Sequence, residues 1–179
     1  DIYDEDDPLT NEEWDFAFDK ELPYRDPEED TFESDASYAK NLQVPDIITV
    51  DALKFPDSVV LGFEFAETAE EFKAGSARSV GGYIDLDLDQ DFLTGIESVI
   101  DEYLDFGLTL LGVDAYIDLF KGTFVNVSTR QETPIDLIYV DNALVIVVPK
   151  SLADISQAGM AIVVTNIEEP TDIAPDILY

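Results

Sequence analysis

Cysteine and histidine are both absent from this chain of 179 residues. Without thiols there are no disulfides and no cysteine nucleophile; without imidazoles the commonest general base is gone, and the usual zinc ligands go with the two together. Cations are nearly as scarce, with 9 Lys and Arg against 41 Asp and Glu and a formal charge of −32. A surface so poor in positive charge cannot displace counterions from a phosphate backbone, which argues against nucleic acid as a partner. No apolar run is long enough to span a bilayer, and no signal peptide is visible at Asp1, so an exported protein is expected here in its processed form. The catalytic residue types are thin enough that no enzyme is expected. Pairs of acids of the glycosidase kind carry no weight where some pair will always lie close.

What is present is an apolar fraction of 46%, enough for one sizeable core. Self-repulsion among the acids must be relieved by salt, by bound cations, or by spreading charge along extended chain. High-salt adaptation and cation binding are both open on composition alone.

The charge is unevenly organised. Residues 1–43 hold 16 acids against Lys20, Arg25 and Lys40, with prolines at 8, 23 and 27, which is the composition of an arm and not of a core. Within it, EEWDFAFDKEL sets Trp14, Phe16 and Phe18 on alternate positions with Asp15 and Asp19 among them, the period of a strand over 14–18 with one aromatic face. Such a strand can complete a sheet, either on its own domain or by strand donation to a neighbour.

From residue 44 to 179 short β-branched and aromatic runs alternate with turn residues, the pattern of an all-β protein. The expected fold is an antiparallel β-sandwich, jelly-roll or Ig-like, with strands near 46–54, 58–66, 79–88, 112–120, 122–129, 135–140, 143–149 and 160–166. ALVIVV and MAIVVT read as central strands buried on both faces, and Asp141-Asn142 as the hairpin turn before the first. IESVIDEYLDF (96–106) has helical spacing and is expected as one short helical insertion packed on the core. Residues 65–74 read as a helical turn or a solvated loop, and 151–155 as a further helical turn.

The stretch YIDLDLDQDFLTG places Asp85, Asp87, Asp89 and Asp91 at every second position. On a strand, Ile84, Leu86 and Leu88 then face the core and the acids the other side. Four carboxylates within seven residues repel unless a cation sits among them, and Ca2+ is the natural one, being hard and tolerant of irregular oxygen geometry. An EF-hand is excluded by register: counted from Asp85, the sixth position is Gln90 and the twelfth Ile96, where that loop needs Gly and Glu. The alternative for these acids is a solvated edge strand that discourages aggregation.

PDIITV (45–50), GYIDLDLDQDFLTG (82–95), GVDAYIDLF (112–120), NALVIVVPKSLA (142–153) and AIVVTNIEEPTDIAPD (161–176) occur in an order that resembles secreted bacterial β-sandwich modules similar to the DOMON and family-nine carbohydrate-binding domains. The resemblance covers about residues 45–176. It implies a cation cluster at one end of the sandwich, with Asp85, Asp87, Asp89, Asp91, Asp114 and Asp172 as ligands and Asp176 as a weaker candidate. It accounts for neither the arm nor the apolar 96–106 insertion.

The reading that follows is an exported, calcium-binding structural or adhesive protein of the cell surface or extracellular matrix. It would self-associate into an oligomer or polymer, a filament subunit joined through Trp14, Phe16 and Phe18 of the arm. The alternative is a calcium-dependent carbohydrate-binding module of a secreted system, with polysaccharide as partner. For Tyr103, Tyr116 and Tyr139, strand pairing or core packing is expected over a sugar-stacking platform.

Overall fold

A computed structural model describes residues 24–25, 45–76, 78–91, 93–96, 111–165 and 170–174. Twelve strands follow in chain order: β1 (Tyr24–Arg25), β2 (Ile47–Lys54), β3 (Ser58–Phe65), β4 (Glu70–Glu71), β5 (Ser79–Asp87), β6 (Ala115–Asp118), β7 (Thr123–Asn126), β8 (Gln131–Pro134), β9 (Leu137–Val140), β10 (Ala143–Pro149), β11 (Gly159–Thr165) and β12 (Pro170–Ala174). They form a five-stranded sheet in the order β1-β2-β3-β10-β9 and a seven-stranded sheet in the order β12-β11-β5-β6-β7-β8, with β4 beside β5. Every pairing is antiparallel except the parallel β4–β5 contact. Two such sheets, packed through their apolar faces, make the expected sandwich.

Alternation explains the packing. Leu61, Phe63, Leu144 and Ile146 from the first sheet meet Ile84, Leu86, Ile117 and Ile162 from the second in one buried cluster. Side chains one position out of phase, Tyr83, Tyr116, Ala161 and Val163, join Leu111 and Val113 in a second cluster on the outer face of the seven-stranded sheet. β11 is therefore buried throughout. β10 departs from the expectation of burial on both faces, because Ala143, Val145 and Val147 are only half-buried on the outer side of the five-stranded sheet. Its hairpin with β9 closes through Asp141 and Asn142, where Asp141 takes φ 53°, the left-handed conformation a two-residue turn requires.

Other expectations change. Among the described residues there is no helix. Ile96 forms an isolated antiparallel bridge with Val113, and the rest of the expected 96–106 helix lies outside the described residues. Within 65–74, where the sequence suggests a helical turn or a solvated loop, Glu70 and Glu71 pair with Ser79 and Val80, since extended backbone there can satisfy its amides against β5. Near 151–155 a single turn forms, the amides of Leu152 and Ala153 both donating to the Pro149 carbonyl. A two-residue piece of the arm, Tyr24–Arg25, adds to the β2 edge of its own chain. Trp14, Phe16 and Phe18 lie outside the described residues.

Candidate metal centre

The site grows from the end of β5. Leu86 pairs with Ala115, which places Asp114 just ahead of β6 and beside Asp87. Asp114 is braced three ways: its amide donates to the Leu86 carbonyl at 3.0 Å, its carbonyl accepts from Val127 at 3.0 Å, and its Oδ2 accepts the Leu88 amide at 2.9 Å. That last bond starts the turn. The chain bends over residues 88–90, and Gln90 sits in the left-handed region, φ 57°.

Beyond it the loop is tied by its own side chains. Asp89 Oδ1 accepts the Asp91 amide at 3.0 Å, and the Thr94 hydroxyl lies 3.0 and 3.1 Å from the two Asp89 carboxylate oxygens and 2.9 Å from the Asp91 carbonyl. Gly95, at φ +75°, passes so close to the Val113 carbonyl that a Cβ there would collide with it. The Ile96–Val113 bridge pins the loop's exit directly after the glycine, its two amide bonds each 3.0 Å.

Asp87, Asp89 and Asp114 each present a carboxylate oxygen, and the three oxygens lie within 4.8 Å of one another. Three oxygens so spaced can share one cation: bonds of 2.3–2.6 Å allow ligand oxygens up to about 4.6–5.2 Å apart across the ion. Asp87 is buried to 1% exposure, Asp114 is half-buried and Asp89 is exposed, so the centre has a closed floor and an open mouth. Amides of Gln90 and Gly112 donate to the Asp87 carboxylate, yet its Oδ1 is buried and accepts no hydrogen bond. Burial pushes the Asp87 carboxyl above its ordinary value; the two amides draw it back, and the charges of Asp114 and Asp89 push it up again. A buried acceptor left without a donor is costly, and a cation removes that cost together with the repulsion.

The other expected ligands lie elsewhere. Asp85 is fully buried on β5 between Tyr116 and Ala161, one two-residue repeat of about 6.6 Å below Asp87 on the same side, and does not join the group of three. Asp91 is exposed, its Oδ1 accepting the Leu93 amide at 3.0 Å. Asp172 sits on β12 opposite Val164, which pairs with Gly82, five residues and about 16 Å along β5 from Asp87. There its buried Oδ2 accepts the Ile47 amide at 2.6 Å, latching the second sheet to the first. Asp176 lies outside the described residues.

Thr94 and the Gln90 and Gly112 amides were not singled out by the sequence, although Thr94 is the threonine of the quoted T-G pair. Tyr139 is packed on the core with its hydroxyl directed at the Val80 carbonyl, 3.5 Å away. Tyr116 packs with Tyr83 edge to face in the second cluster. Tyr103 lies outside the described residues.

Comparison with family models, with curated proteins and with solved structures finds no match. Among the described residues no helix is long and apolar enough to cross a membrane.

Proposed function

We propose that this chain is an exported, calcium-braced β-sandwich that serves as a structural or adhesive subunit at the cell surface or in the extracellular matrix, self-associating through its N-terminal arm. One observation carries the reading: Asp87, Asp89 and Asp114 each bring a carboxylate oxygen within 4.8 Å of the others, and one oxygen of the buried Asp87 carboxylate has no donor. Calcium suits the centre on three counts. The donors are all hard oxygens, the mouth left open at Asp89 admits the further oxygens that a coordination number of six to eight demands, and the ion tolerates irregular geometry.

Bound there, the ion ties the 88–96 loop to the start of β6 and stabilises the folded state alone. It also neutralises part of a net charge of −32 that keeps copies apart. The test is light scattering of the purified protein through a millimolar calcium titration, with sodium chloride at matched ionic strength as control. Growth into large particles with calcium alone supports the reading. A persistent monomer overturns the self-association, and growth in sodium chloride as well overturns the calcium dependence.

A further inference from the structure

The loop that carries Asp89 leaves the seven-stranded sheet between the two neighbours of β5. On the β6 side it is tied closely: the Leu88 amide donates to Asp114 Oδ2, and Ile96 and Val113 exchange two amide bonds. On the β11 side, among the described residues, 88–96 makes a single hydrogen bond, from Gln90 Nε2 to the Gln157 carbonyl at 2.5 Å.

Register explains why these two residues meet. Gly159, the first residue of β11, pairs with Asp87, the last of β5. In an antiparallel pair the chain running on past Asp87 lies beside the chain that leads into Gly159, so Gln90 comes alongside the 154–158 turn. That turn is braced from within. Asp154 Oδ1 accepts both the amide and the hydroxyl of Ser156, at 3.1 and 2.6 Å, and the Ala158 amide donates to the Ile155 carbonyl at 3.2 Å. Ile155 and Ala158 are fully buried in the main core, which fastens the turn to the body of the sandwich. The Gln157 carbonyl is therefore a fixed acceptor.

Gln90 bridges this acceptor and the metal centre. Its amide donates to the Asp87 carboxylate, and its side chain to Gln157. The rotation that sets one bond against the other is its φ, 57°, a conformation that residues other than Gly, Asn and Asp seldom take unless their surroundings hold them there. The Gly112 amide reaches Asp87 from the other flank, and between them the two amides leave Asp87 Oδ1 without a donor.

We propose that Gln90 is a positioning residue of the metal centre, its side chain anchored on the Gln157 carbonyl so that the loop holds its amide on Asp87 and keeps Asp89 within reach of an ion shared with Asp114. The inference rests on the calcium reading above and names what sets the affinity of that site. Gln90 acts through Asp87 and Asp89 and not as a ligand. Groups that orient metal ligands in this way typically change affinity by about 10–100-fold when removed. The Gln90–Gln157 bond is exposed, so it adds little to the stability of the metal-free fold. Its effect falls on calcium binding.

Two substitutions separate the anchor from the backbone conformation. Gln90→Asn puts in a residue at home in the left-handed region but one methylene short of Gln157, and Gln90→Gly frees φ and removes the anchor altogether. Calorimetric titration of calcium into the full chain at constant ionic strength is expected to give a Kd about tenfold higher in both variants. In chelator the Asn variant is expected to melt with the unaltered protein. A Kd for Gln90→Asn equal to that of the unaltered chain overturns the proposal, because the left-handed backbone then suffices without the anchor. Melting temperatures that fall alike in calcium and in chelator, with Kd unchanged, also overturn it, since they make Gln90 a structural residue of the turn. Both results leave the calcium reading standing. If the unaltered protein shows no saturable calcium uptake, the proposal and that reading fail together.

Discussion

Replacing Asp87 by asparagine removes a charge and almost no volume, and its effect should reverse sign with the cation. Without metal, Asp87 is 1% exposed and one of its oxygens lies within 4.8 Å of oxygens of Asp89 and Asp114. At an effective dielectric of about 20, unit charges at that separation repel by roughly 3–4 kcal/mol, and by less for Asp89, which is open to solvent. Asp87→Asn relieves this, so in chelator the variant is expected to melt at or above the temperature of the unaltered protein.

With calcium the order inverts. A ligand at a hundred times its Kd, binding the folded state only, adds about 2.7 kcal/mol. For a chain of this length that is roughly 5–11 °C in Tm, and the variant forfeits it. Calorimetric melts of both proteins in calcium chloride and in chelator, at matched ionic strength, read the difference. Equal losses in the two conditions would refute the reasoning, since they would make Asp87 a packing residue whose carboxylate serves no ion.

Thr94→Ala removes the hydroxyl that holds Asp89, and calorimetric titration is expected to show calcium affinity about tenfold weaker with the fold intact. Gly95→Ala forces a Cβ against the Val113 carbonyl at φ +75°, so the melting temperature should fall in calcium and chelator alike, by about 1–3 kcal/mol of stability. Tyr139 titrates above its ordinary value of 10.0, chiefly through burial and then through the charge of Glu71. Its neutral form is the folded one, so its contribution is complete below about pH 10 and fades as the unfolded chain ionises first. Tyr139→Phe should therefore make stability, followed by circular dichroism, less sensitive to alkali above that pH.

β2, β3, β5, β10 and β11 fall within about a residue of their sequence ranges: β2, β3 and β5 through alternation between two environments, β10 and β11 as short β-branched runs apolar on both faces. β8 was not legible: Gln131–Pro134 is a mostly exposed edge strand with no apolar period, held by its ladder to β7. β4 and β1, two residues each, are too short to carry any period.

Alternation likewise placed Asp85 and Asp87 on one side of β5, but it could not say which acids converge. That is decided by the bend over residues 88–90 and by the β5–β6 register, which delivers Asp114. Asp172 was grouped with them through the motif resemblance, whereas sheet register carries it to the Ile47 amide. The open valines of β10 show the converse limit. An apolar period reports what a residue prefers to touch, and not whether its own chain supplies the contact.

The most direct test of the central claim is a calorimetric titration of calcium into the unaltered protein beside its Asp87→Asn and Asp114→Asn variants, all in sodium chloride at constant ionic strength. The account predicts a saturable site, lost or greatly weakened in both variants. Calcium uptake that is the same in all three proteins, or that vanishes once sodium chloride is present, would contradict it.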